Sequence, residues 1–358
     1  MLAPISRKRH AITGFTLVEL MVGLAIGMLV VLVIFEVVAN FEGQKRTTTE
    51  GAGAQENGLY VVTTLERDIR MAGWGTSLKP LLGCVGTVNT SYKGAPIADF
   101  SLMPVRITSN GTASDIIAVT SGSGMLASTS NEVTTVGAGS NSELGVLSAV
   151  GFQKDDMVVV ANIDGGCTLG QVTDVDSTSN AFKRNSGSSF NPTPPIRATW
   201  PAEQVGAQVY DLGRMVRRTY SIDASQATLR LQELNNPDGV SVADNIVSIK
   251  AQYGVAGISR DAQSVENWVN AMGIWAAPGA AEVARIKAVR LFVVARSPIR
   301  EKPGPSGACT TTVAAPTPSW SNGEALSIDL SANPNWQCFR YKSFQTVIPL
   351  RNIIWGAT

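Results

Sequence analysis

The chain has 358 residues, 44% hydrophobic and 16% charged, which excludes a disordered or collagen-like polymer and allows a sizeable core. Its 29 basic residues against 28 acidic ones give a formal charge of +1, too balanced for a dedicated nucleic-acid binder. The single histidine, His10, stands in the leading segment, so the rest of the chain lacks the commonest general base and metal ligand, and Ser-His-Asp and Cys-His sites are excluded.

A basic leader with Arg7, Lys8 and Arg9 precedes an apolar run from Phe15 to Phe35 in which only Thr16 and Glu19 are clearly polar. As a helix that run extends roughly 30 Å, enough to cross a membrane. The leading positive charges place the N-terminus in the cytoplasm and the remaining chain outside. Glu19 is the anomaly, because an ionisable group at bilayer depth costs about 2.5–3.5 kcal/mol and calls for a partner. A cleaved secretory signal predicts a shorter apolar core with a small-residue cleavage site, which Val37-Val38-Ala39 fits weakly. A plain anchor accounts for the length and leaves Glu19 unexplained.

After Phe35 the pattern turns amphipathic: Leu59, Val62, Leu65, Ile69 and Ala72 recur at three- and four-residue steps, and Glu66 pairs with Arg70 on the other side. No proline occurs between Phe15 and Pro80, so one helix is expected to run to about Arg70 and stop at Gly73 or Gly75. Gly51, Gly53 and Gly58 make residues 50–58 its weakest stretch. Short β-branched runs then predict strands at Asp115–Thr120 and Met157–Ile163, and a hairpin from Met215–Ile222 and Ala227–Leu234. In the next strand Val247, Ile249, Ala251 and Tyr253 alternate with Ser248, Lys250 and Gln252, the pattern of a half-buried strand. Arg285–Ser297 and Ser343–Leu350 predict two more. Gly-, Ser- and Pro-rich stretches at Ser121–Ser148, Arg184–Pro195 and Lys302–Gly323 read as loops or insertions, the first two bracketing a subdomain.

Cys84, Cys167, Cys309 and Cys338 are too far apart in sequence for a C-x-x-C metal or redox pair. In an exported chain they are disulfide candidates, with three pairings open. Cys309 with Cys338 is favoured because they bracket a Pro/Gly/Ser-rich loop, and Cys84 with Cys167 by elimination. No phosphate-binding loop, nucleophile elbow or H-E-x-x-H motif is present, and no cofactor or metal is expected. The acid pairs Asp174/Asp176 and Asp238/Asp244 read as turn formers rather than a carboxylate catalytic site or a calcium site. Trp268, Trp275, Trp320 and Trp336 read as packing groups, and Arg214, Arg217 and Arg218 as a solvated strand face.

The stretch "GFTLVEL", Gly14 to Leu20, after a short basic leader and opening an apolar helix, resembles the class III leader of type IV pilins and pseudopilins. The resemblance implies cleavage between Gly14 and Phe15 by prepilin peptidase, N-methylation of Phe15, and Glu19 as counter-ion to a neighbouring subunit's N-terminal amine. "LERDIRMAGWG", "VSIKAQYGV", "IKAVRLFVVARS" and "TVIPLRN" are similar to the PilW family of minor pilins. The implied fold is α+β: a leader over 1–14, a long helix over 15–75 with 15–35 in the membrane, and a C-terminal antiparallel β-sheet domain over 76–358. The implied role is a structural, non-enzymatic one in type IV pilus assembly, in the tip or priming complex. Implied partners are other minor pilins, the major pilin, prepilin peptidase, the inner-membrane assembly platform and, before assembly, membrane lipid; nucleic acid is not an expected partner. The implied location is the inner membrane with the globular domain periplasmic, then the pilus. A type II secretion pseudopilin shares the same leader and helix; a membrane-tethered adhesin or carboxylate-based enzyme is the reading from another class.

Overall fold

The computed structural model describes residues 14, 16–77, 81, 84, 88–97, 100–124, 130–137, 143–193, 202–259, 262–304 and 306–356. The chain divides into two compact units, 1–52 and 53–358. Helix α1 (Leu17–Met71) contributes to both. In the first unit every side chain from Leu17 to Val38 is exposed.

In the second unit α1 is amphipathic, and Ala54, Gly58, Val61, Leu65, Ile69 and Ala72 form its buried stripe at four- and three-residue steps. The stripe includes Val61 where the sequence pattern suggested Leu59, which is 49% exposed. Gly58, expected to loosen the helix, instead lets it approach the sheet: a Cβ there would lie 2.0 Å from the Phe344 ring. The helix ends where glycine permits a left-handed turn, at Gly73 with φ +83°. Its last carbonyls, of Met71 and Ala72, accept hydrogen bonds from Asn352 Nδ2 at 3.3 and 3.0 Å. Asp68, also on the buried side, accepts from Arg218 Nη1 at 3.0 Å and from the Tyr220 hydroxyl.

The strands follow in chain order. A small hairpin of β1 (Ser91–Tyr92) and β2 (Ala95–Pro96) precedes β3 (Val105–Thr108) and β4 (Ile116–Ser121). Next come β5 (Ser130–Val136), β6 (Glu143–Val146), β7 (Met157–Ala161), β8 (Cys167–Gln171), β9 (Asp174–Asp176), β10 (Ala181–Lys183) and β11 (Gln208–Gly213). The last set is β12 (Val216–Asp223), β13 (Thr228–Glu233), β14 (Asn236–Asp244), β15 (Ile246–Val255), β16 (Asn267–Val269), β17 (Ile286–Arg296) and β18 (Tyr341–Pro349). Two short helices, α2 (Ala280–Arg285) and α3 (Arg351–Gly356), flank β17 and end the chain.

Three larger sheets result, all antiparallel: β16-β15-β17-β18, β14-β13-β12-β4-β3, and β8-β7-β11-β5-β6-β10-β9. The first two and the α1 stripe share one core, where Leu65 and Ile69 meet residues such as Ile117, Tyr253 and Leu291. The seven-stranded sheet is buried on both faces at β7. Met157 and Val159 of β7 face one cluster with Phe100 and Leu169, while Val158 and Val160 face another with Phe152 and Phe182. That two-sided burial is why the β7 sequence is continuously apolar instead of alternating. Disulfides join Cys84 to Cys167 and Cys309 to Cys338, the pairing favoured on sequence grounds.

Several expectations need correcting. Ser121–Ser148 is not loop alone, since it contains β5, whose polar sequence conceals its place in the sheet, and the short β6. β15 is buried almost throughout, not half-buried. Its polar face is roofed: Lys250 Nζ donates to the Gly111 and Ala113 carbonyls at 2.8 and 3.0 Å and pairs with Asp115, while Gln252 bonds to Asn270, Arg290 and the Glu324 carbonyl. A bulge between Ile246 and Ser248 turns Val247 partly outward. The three arginines are not one solvated face either. Arg214 is exposed, Arg217 lies over the Phe100 ring, and Arg218 pairs with Asp68 and Glu233.

Candidate functional site

The N-terminal turn of α1 carries the chemistry singled out in the sequence. Arg7, Lys8, Arg9, His10 and Phe15 lie outside the described residues, while Gly14 is exposed with open space where a side chain would be. Thr16 and Glu19 form a reciprocal capping box: Thr16 Oγ1 accepts from the Glu19 N–H at 3.2 Å, and Glu19 Oε2 accepts from the Thr16 N–H at 3.0 Å. The Thr16 hydroxyl also donates to Oε2 at 3.0 Å. Two backbone donors that a helix start leaves unpaired are satisfied in this way. The Thr16-x-x-Glu19 spacing is a legible signal that the membrane-depth argument about Glu19 passes over. Among the described residues Oε1 has no partner, so the cap leaves the carboxylate able to accept a second donor.

Beyond the cap, Leu17–Val38 is a 22-residue stretch with mean hydropathy 2.8 and no part of it buried, long and apolar enough to cross a membrane. The arrangement is an acid at the N-terminal end of a helix that is apolar all round. It offers one ionic contact and a large apolar surface, and the described residues provide no partner for either.

The other sequence candidates do not converge. Asp176 accepts from the Thr178 and Ser179 amides at 2.9 and 3.3 Å and shapes a turn, while Asp174 faces Lys183 at 3.4 Å. Asp238 and Asp244 sit near opposite ends of β14. Among the described residues no three or more His, Cys, Asp or Glu side chains are grouped to hold a metal. Of the tryptophans, Trp275 is buried beside Arg285, and Trp268 and Trp320 lie 4.8 and 4.2 Å from the Arg290 guanidinium.

Comparison with known proteins converges on both ends of the chain. Residues 9–35 match the family model of the prokaryotic N-terminal methylation motif, and residues 213–352 match that of type IV pilus-assembly protein W. No curated protein matches. A type IV-like pilin from Thermus thermophilus is similar in structure at 10% identity, with 84% of this chain and 96% of that one covered and a TM-score of 0.32. The second match contains β12 through β18, the strands whose core receives the buried stripe of α1, and the first contains the capped apolar helix. Over residues 213–352 the chain is therefore similar to type IV pilus-assembly protein W, and over residues 9–35 it carries the prokaryotic N-terminal methylation motif.

Proposed function

We propose that this protein is a minor pilin that is held in the inner membrane by residues 15–35 and is then drawn into a type IV pilus, where it serves in the tip or priming complex. The observation that carries the reading is the capped helix start at Thr16 and Glu19 leading into an apolar stretch with no buried side chain, in a chain whose two ends match pilin-class families. Prepilin peptidase cuts between Gly14 and Phe15, and glycine suits that step because it lets a protease reach the backbone. The cut leaves Phe15 as a methylated N-terminus. Its cationic amine needs a counter-ion once it lies among apolar helices, and Glu19 Oε1 of a neighbouring subunit supplies one. A buried pair of this kind adds little stability and suits the specification of register.

Residues 76–358 then lie in the periplasm and afterwards on the filament, in contact with other minor pilins and the major pilin. The role is structural and not enzymatic. A type II secretion pseudopilin shares the same leader and helix, and the match over 213–352 to a pilus-assembly family favours the pilus. Mass spectrometry of the protein from cells tests the reading: the expected mature chain has 344 residues, the 358 less the 14 of the leader, and begins at methylated Phe15. An N-terminus at Asn40, or an intact leader in cells with active peptidase, overturns it.

A further inference from the structure

Two adjoining clefts in the globular unit meet at Arg217. The larger, about 470 Å³, lies between the face of β12 and β13 that carries Arg217, Thr219 and Leu234 and the β1–β2 hairpin with Tyr92, with Phe100 also in its wall. The smaller, about 290 Å³, continues past Met215 and Phe190. Their sizes are in the range of small-ligand sites, which typically combine apolar walls with a few placed polar groups.

Arg217 is the placed polar group. Its guanidinium lies 4.5 Å from the centre of the Phe100 ring, and Nη1 is sealed from solvent with no hydrogen-bond partner. Among the described residues it makes no ion pair. The acids that line the clefts are engaged elsewhere: Glu233 accepts from Arg218 at 3.0 Å and Asp155 from Gln171 at 3.2 Å. Burial, and then the like charge of Arg106, push the Arg217 pKa down to about 10, which still leaves it cationic at neutral pH. A largely buried cation without a counter-ion is a liability for folding, and an apolar side chain of similar volume would remove it. Its retention at the junction of two clefts is the feature that needs a cause.

We propose that this cleft binds a carboxylate borne on an apolar or aromatic body, with the carboxylate on Arg217 and the body against Tyr92, Phe100 and Leu234. A guanidinium is a strong charge-assisted donor to a carboxylate, and apolar walls favour a monoanion over a more strongly hydrated phosphate dianion. The carboxylate is either that of a free small acid or that of a Glu or Asp side chain on another protein. The inference does not rest on the role in the pilus.

The test uses the full-length protein in detergent micelles, titrated calorimetrically with 3-phenylpropionate and with 3-phenylpropanamide. A second arm uses the blocked tripeptides Leu-Glu-Phe and Leu-Gln-Phe. In at least one arm the acid is expected to bind about tenfold more tightly than its amide, the preference that a charge-assisted hydrogen bond supports. Arg217→Gln should erase that preference and Arg217→Lys keep part of it. Thr219→Trp retains the guanidinium and fills the cleft, so it should abolish binding even if Arg217→Gln fails to fold. Tighter binding of phenylpropionate identifies a small acid, and tighter binding of the Glu peptide identifies a protein segment. Equal binding of acid and amide, an acid preference that survives Arg217→Gln, or no binding in either arm overturns the proposal.

Discussion

The two halves of α1 are built on different logic. From Leu17 to Val38 nothing is buried and nearly every residue is apolar; from Ala54 to Ala72 one stripe is buried and the opposite face carries Glu66, Arg67 and Arg70. The second half has its partner inside the chain, in the core around Tyr253 and Leu291. Among the described residues the first half has no partner, and an all-round apolar helix suits lipid or the company of other apolar helices. A helix without periodicity is therefore informative about surroundings that the chain itself does not provide.

Glu19 offers the strongest way to break this contrast. Glu19→Leu removes both cap and charge, whereas Glu19→Gln keeps a capping acceptor and removes the charge alone. Both variants should be inserted and processed normally, since a less polar span inserts more readily. Recovery of the subunit in sheared pili should fall at least about a hundredfold in each, because removing one partner leaves the other charge buried and unpaired at a cost of roughly 3–5 kcal/mol. Normal incorporation of Glu19→Gln would reduce Glu19 to a helix cap.

The contrast is sharpened by identical changes in the two halves. Leu65→Ala empties a fully buried site and should lower the unfolding free energy of the globular unit by about 2–5 kcal/mol. Leu29→Ala, at a position 63% exposed, should leave that unfolding transition unmoved. Denaturant titration of both variants in one detergent decides the matter, and equal effects would erase the distinction.

The smallest effect concerns two glycines. Gly58→Ala drives a methyl group into the Phe344 ring and should destabilise by about 1–3 kcal/mol. Gly51→Ala meets nothing within 4 Å and should stabilise the helix by about 0.5–1 kcal/mol. Melting temperatures that move in opposite directions are the expected result.

Much of this architecture is legible in the residues. The helix is visible in its periodicity and its glycine stop, and β12, β13, β15, β17 and β18 in their β-branched runs, because each bears a local signal, which β14 and β16 lack. What lies hidden depends on long-range contact. Nothing local marks Lys250 as buried, since its burial requires Asp115 and two carbonyls more than 130 residues away. Asp68 reads as a surface acid until Arg218 and Tyr220, some 150 residues on, come to meet it. β5 escapes notice because a polar strand in a large sheet looks like loop, and β6 because it is only four residues long between Gly- and Ser-rich sequence. At the helix start, the Gly14, Phe15 and Glu19 pattern is legible as a motif and the capping box as a spacing, while the open Oε1 emerges only from the geometry.

The side chain of Asn352, which closes the C-terminal end of α1 from 280 residues further along the chain, sets an order of events during synthesis. The ribosome completes α1 early, yet its last carbonyls receive the Asn352 side chain, and Gly58 meets Phe344, only when β18 and α3 have emerged. At about 5–20 residues per second that interval is roughly 15–55 s. Throughout it the apolar half can already be seated among apolar surroundings, while the other half waits with its stripe only partly covered. The nascent chain thus has a period of vulnerability to aggregation and proteolysis that ends when Asn352 reaches the helix end, and loss of α3 would leave those carbonyls open.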